Sequence, residues 1–112
     1  MLDKLIRDVP GARAALLLDA TGELVMESGA HEERHRLLGA YQGIALGAAR
    51  RAAHRHGGGT VEELITCYER GAVILEPLKD GYFLVVVLGP KASLALGRQC
   101  LRPARARMNQ AL

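Results

Sequence analysis

"GAVILEPLKDGYFLVVVLG", residues 71–89, decides how this chain folds. Two apolar runs, 72–79 and 82–89, meet at the turn Lys79-Asp80-Gly81. Runs of this length and composition, punctuated by Asp-Gly, predict two adjacent antiparallel strands. The second run, "YFLVVVLG", is apolar at successive positions, so neither of its faces suits water. That pattern predicts a central strand with helices on both sides of the sheet. Pro77 in the first run marks a bulge or an unpaired position.

Upstream, "TVEELITCYE" (60–69) alternates: Glu62, Leu64, Thr66 and Tyr68 on one side, Glu63, Ile65, Cys67 and Glu69 on the other. It predicts a further strand, turned by Arg70-Gly71 into the next, so residues 60–89 form a three-strand meander. At the start of the chain, Leu2, Leu5, Ile6 and Val9 repeat at helical spacing, and Pro10-Gly11 ends that helix. Residues 12–19 and 23–28 flank a turn at Gly22 and predict a hairpin. Residues 32–56 contain no proline and are rich in helix formers, which predicts a long helix. Beyond Pro90 the pattern is helical again, with Leu94, Leu96, Leu101 and Met108 as its large apolar residues and Pro103 expected to kink or break it. The order is helix, hairpin, long helix, three-strand meander, helix. It implies an α/β (α+β) fold in one domain, residues 1–112: a five-stranded antiparallel sheet with helices on both faces.

The chain's 112 residues suffice for one domain with a real core. Its 49% hydrophobic and 24% charged residues place it among ordinary soluble globular domains. No apolar run approaches the ~20 residues of a membrane span. The first ten residues carry Asp3 and Asp8 and no signal-type apolar segment, so a cytoplasmic location is expected. Cys67 and Cys100 make no disulfide framework and are expected as small buried apolar residues. Every acidic residue lies at or before Asp80, after which Lys91, Arg98, Arg102, Arg105 and Arg107 give the last stretch +5 and leave −2 for the rest. A basic stretch suits an acidic partner, a membrane surface, nucleic acid or a solvated helix face. No aromatics lie between the arginines, so stacking on single-stranded bases is disfavoured and nucleic acid is not the expected partner.

Two features of the long helix bear on function. Leu37, Tyr41, Ile44, Ala48 and Ala52 share one side, expected to meet the core, while Gly39, Gly43 and Gly47 fall nearly opposite at four-residue spacing. Glycine inside a helix costs about 1 kcal/mol against alanine, so three in a row imply a return. Close approach of a second copy of the same helix supplies one. The second feature is "HEERH", His31 to His35, which fits the H-E-x-x-H zinc-protease signature. Here the middle positions are Glu33 and Arg34, Leu38 stands where the extended motif has glycine, and no third ligand is apparent. A solvated helix start is the better reading, with Glu32 and Glu33 complementing the positive end of the helix dipole. No metal or other cofactor is expected. Ser28 and Ser93 lack a nucleophile context, neither cysteine has a CxxC partner, and no "GxxxxGK[ST]" loop for a nucleotide occurs.

The chain resembles the Roadblock/dynein light chain family over nearly its whole length. The resemblance lies in Pro10-Gly11-Ala12, the hairpin Leu16 to Gly22, Val73 to Leu78, Tyr82 to Leu88, and Leu94 to Gly97. It implies a profilin-like sandwich and a homodimer formed by edge-to-edge third strands and face-to-face long helices. It also implies a non-enzymatic platform for Ras-like small GTPases. The bacterial type is similar to the polarity and gliding-motility regulator, whose dimer speeds GTP hydrolysis by reshaping the GTPase's own site, not by an arginine finger. On this reading the dimer residues are Gly39, Gly43, Gly47, Val61, Leu64 and Ile65, and the candidate partner-facing residues are Arg36, Arg50, Arg51, His54 and Arg55. Two alternatives stand beside it: a dimeric structural adaptor in a signalling or motor-type complex with no effect on hydrolysis, and a metal hydrolase using His31, Glu32 and His35.

Overall fold

The computed structural model describes residues 2–29 and 33–112. Its elements are α1 (Leu2–Asp8), β1 (Ala12–Leu18), β2 (Leu24–Gly29), α2 (Glu33–Arg55), β3 (Leu64–Tyr68), β4 (Gly71–Pro77), β5 (Phe83–Leu88) and α3 (Leu94–Ala111). The five strands form one antiparallel sheet in the order β2-β1-β5-β4-β3. The mixed α/β fold and the element order match the sequence expectation.

Local chemistry explains the turns. Asp19 Oδ1 accepts from the Thr21 backbone N–H (2.9 Å), the Thr21 hydroxyl (2.6 Å) and the Glu23 N–H (3.1 Å), closing the β1–β2 hairpin over Gly22 at φ +86°. The Thr21 hydroxyl and the Glu23 N–H, in that order, hold the Asp19 carboxyl below its ordinary range. Ser93 caps α3, its hydroxyl accepting from the Leu96 N–H at 3.1 Å.

Every residue of β5 is buried, and its alternation feeds two separate cores. Leu84, Val86 and Leu88 join Ala15, Leu17 and Ile74 under α1 and α3, which contribute Leu2, Leu5, Val9, Leu101, Ala104 and Met108. Phe83 and Val85 join Leu16, Leu18, Val73 and Leu75 on the other face, where α2 adds one fully buried side chain, Leu46. The Ser28 hydroxyl donates to Asp3, tying β2 to α1.

Four expectations need correction. β3 starts at Leu64, not at residue 60, because its pairing with β4 ends at Leu64↔Leu75. Pro77 therefore lies where β3 no longer pairs, and its missing N–H costs no β3–β4 bond. Pro103 does not end α3. An interior proline costs ~3 kcal/mol, but Leu101 and Ala104 on either side of it are 0% and 1% exposed. Burying a leucine stabilises by ~1.5–3 kcal/mol, so packing along α3 outweighs the lost bond. Cys67 is exposed on β3, and Cys100 is half-buried with its thiol 3.7 Å from the Asp8 carbonyl.

The fourth correction concerns α2, whose faces are reversed. The stripe toward the sheet is His35, Gly39, Gln42 and Leu46, while Leu37, Tyr41 and Ile44 face outward. A Cβ on Gly39 would stand 2.6 Å from Leu18 Cδ2, and one on Gly43 3.2 Å from Phe83 Cζ. A Cβ on Gly47 would meet nothing nearer than Arg51 Nη1 at 3.4 Å. Steps of four residues turn about 40° past a full helical turn, so the row drifts off the sheet along its length. The glycines thus return their cost by letting α2 lie close on the strands of its own chain.

One acid is buried. Glu76 on β4 points to the α3 side at 2% exposure, with Arg105 Nη1 3.8 Å from its Oε2 and no hydrogen bond to Oε1. Burial pushes its carboxyl above the ordinary value of 4.5, and the Arg105 guanidinium offsets part of the rise. Nearby, Arg98 Nε pairs with Glu63 Oε1 at 2.8 Å.

Two outcomes follow for stability. Gly39→Leu should destabilise the fold by about 1–3 kcal/mol through overpacking against Leu18, whereas Gly47→Ala should stabilise it by about 0.5–1 kcal/mol. Urea unfolding of both variants checks the contrast, and equal effects would contradict this seating of α2. For Glu76, a native pKa above the unfolded one means that its contribution is fully present below pH 4.5 and lost as pH rises through the raised value. Stability of the native chain relative to Glu76→Gln should therefore fall as pH rises from 4.5 through the raised value. Denaturation of both across that range reads the difference.

Candidate protein-interaction surface

Among the described residues, three of the six exposed large hydrophobics lie on the outward row of α2. Leu37, Tyr41 and Ile44 are 56%, 60% and 67% exposed and fall within an arc of about 60° on the helix, with the exposed Ala48 continuing the row. Apolar residues scattered singly on a surface need no explanation, but a contiguous row on one helix face does.

The sheet edges differ. β3 pairs with β4 over five consecutive residues with no break in register, and Leu64–Tyr68 carries no charged side chain. Thr66, Cys67 and Tyr68 on this strand are exposed. An uncharged, regular edge is the kind that accepts another strand. β2, at the opposite edge, is interrupted by a bulge between the pairs Leu17↔Met26 and Leu18↔Leu24.

The residues expected at a dimer contact are therefore dispersed. Gly39 and Gly43 face the chain's own sheet, and Gly47 flanks it. Val61 and Leu64 are half-buried against the α2-side core, and Ile65 packs on the opposite core. The expected partner-facing cations are all exposed: Arg36 near the start of α2, and Arg50, Arg51, His54 and Arg55 in its last turns. Among the described residues none of these four arginines is ion-paired. Arg36 and Arg50 lie about 21 Å apart along the axis, so the cations bracket the apolar row.

His35 of the HEERH stretch is 8% exposed, in a groove with Arg13, Leu38, Tyr68 and Arg70. His31 and Glu32 lie outside the described residues. Among the described residues no group of three histidine, cysteine or acidic side chains is placed to hold a metal ion, and no helix is long and apolar enough to cross a membrane.

Amphipathic periodicity alone missed Leu37, Tyr41 and Ile44, because it assigns the larger apolar side chains to the core. The available signal was the glycine row itself, which marks where a helix can approach a sheet.

The fold has solved relatives. Myxococcus xanthus MglB superposes with a TM-score of 0.89 at 19% identity, covering 98% of this chain and 89% of that one. The gliding protein MglB of Thermus thermophilus gives 0.88 at 21% identity, covering 97% and 83%. A Roadblock/LC7 domain from Streptomyces avermitilis gives 0.81 at 22% identity, covering 96% and 93%. These likenesses include α3 and concern the fold. No curated protein matches the chain significantly. The sequence model of the Roadblock/LC7 domain matches residues 1–88, from α1 through β5, and the chain belongs to the Roadblock/LC7 domain family.

Proposed function

We propose that this chain is a non-enzymatic, homodimeric regulator of a Ras-like small GTPase, one that promotes GTP hydrolysis on its partner. The observation that carries the dimer is the pairing of two uncovered features, the α2 row Leu37–Tyr41–Ile44 and the uncharged edge of β3. Strand addition at β3 would satisfy its outward backbone groups, and a second α2 would cover the apolar row. The dimer residues are accordingly Leu37, Tyr41 and Ile44 on α2 together with β3, and the glycines support α2 from beneath.

The GTPase part rests on family membership and on the likeness to the MglB structures. The candidate contact is the cationic set Arg36, Arg50, Arg51, His54 and Arg55, which flanks the row and has no acid of its own to pair with among the described residues. The reading includes a cytoplasmic location, and it assigns no nucleotide to this chain, which lacks a P-loop sequence.

Ile44→Glu should convert the dimer to a monomer, weakening self-association roughly thirtyfold or more, since a two-fold contact buries the change twice. Its far-UV circular dichroism should not change, because the side chain is 67% exposed within one chain. Light scattering after size exclusion reads the mass. The same measurement with a small GTPase in GDP and GTP-analogue forms tests the partner: a gain in mass with the analogue alone supports regulation. Equal binding of both forms, with unchanged hydrolysis, would leave a structural adaptor.

A further inference from the structure

We propose that the cleft between the C-terminal parts of α2 and α3 binds a phosphate monoester. β4 runs on to Pro77 after β3 has stopped pairing at Leu64↔Leu75, so the sheet is notched at that corner. Residues 59–63 cross the notch outside any helix or strand, which leaves their amide groups out of the ladder. A cleft of about 570 Å³ opens there, lined by Arg50 and His54 from α2, Thr60, Lys79 from the β4–β5 turn, and Arg105 from α3.

The cations keep donors in reserve for an anion. Arg50 and His54 make no side-chain bond to any described residue. Lys79 uses one donor on the Leu112 carbonyl (3.1 Å), with its position fixed by its backbone N–H, which donates to Asn109 Oδ1 at 2.8 Å. An ammonium has two donors more. Arg105 donates to the Glu62 carbonyl at 3.3 Å and stands only loosely, at 3.8 Å, from Glu76, which leaves most of its five donors free. Arg50, Lys79 and Arg105 against the single lining acid, Glu62, give the wall a formal +2. A phosphate monoester carries about −1.5 to −2 near neutral pH, which matches that charge better than a carboxylate does. The cleft is also larger than a phosphate ion, so it accommodates part of the group that bears the phosphate. A small phosphorylated molecule and a phosphorylated side chain share this chemistry.

The test needs the isolated chain alone, so its result is independent of the GTPase reading, although Arg50 and His54 serve both. Isotope-labelled chain is titrated with phenyl phosphate, with a short phosphoserine peptide, and with sodium chloride at equal ionic strength, while amide resonances are followed. The expected result is saturable shifts at Thr60, Val61, Lys79 and Asn109 with the phosphorylated probes and not with chloride. Arg50→Gln, an exposed change that leaves the fold intact, should weaken binding about tenfold, and adding Lys79→Gln should weaken it further. Tighter binding of the peptide than of phenyl phosphate would identify a phosphorylated protein as the source, and equal or weaker binding a small molecule. Shifts that follow ionic strength alone, or an Arg50→Gln chain that titrates like the native one, would overturn the proposal.

Discussion

A strand with no polar side governs this molecule. Phe83–Leu88 is buried at every position, and each large side chain in it contributes about 1.5–3 kcal/mol only if both faces of the sheet are covered. The chain meets that demand with two layers of helix. Antiparallel neighbours β1 and β4 flank β5, and β2 and β3 are left to form the edges. The corner cleft and the exposed row of α2 are consequences of how that covering is completed.

The two coverings are unlike. α1 and α3 behave as ordinary amphipathic helices, with leucine, valine and methionine turned inward. α2 turns His35, Gly39 and Gln42 toward the sheet and leaves Gln42 Oε1 buried without a hydrogen bond. Its apolar contribution to the core is concentrated in Leu46. A helix seated this way draws part of its stabilisation from whatever covers its outer face. In the proposed dimer the second α2 would be that cover, so the folding of α2 would be tied to association.

Most of the fold was legible in sequence. Continuous apolar character identified β5 as central, turn chemistry at Gly22 and Asp80-Gly81 located two reversals, helical spacing found α1, and a proline-free run of helix formers found the long helix. What failed was the direction in which α2 faces. Size and hydrophobicity rank Leu37, Tyr41 and Ile44 as core, but the spacing between α2 and the sheet is set by Gly39 over Leu18, and glycine carries no hydropathy signal. Pro103 misled for a related reason: the cost of a proline is local, whereas the burial of Leu101 and Ala104 that offsets it depends on a partner strand distant in sequence. The corner cleft was invisible, because the arginines that line it come from elements more than fifty residues apart.

The bulge in β2 has a consequence for growth. A sheet with two regular, uncharged edges propagates, each added chain offering a fresh edge to the next, and the product is a fibre. Here one edge is regular and the other is bent out of register beside Leu18. In the proposed dimer, where β3 pairs with a second β3, both outer boundaries of the joined sheet would be bulged β2 strands, and elongation by strand addition would terminate at two chains.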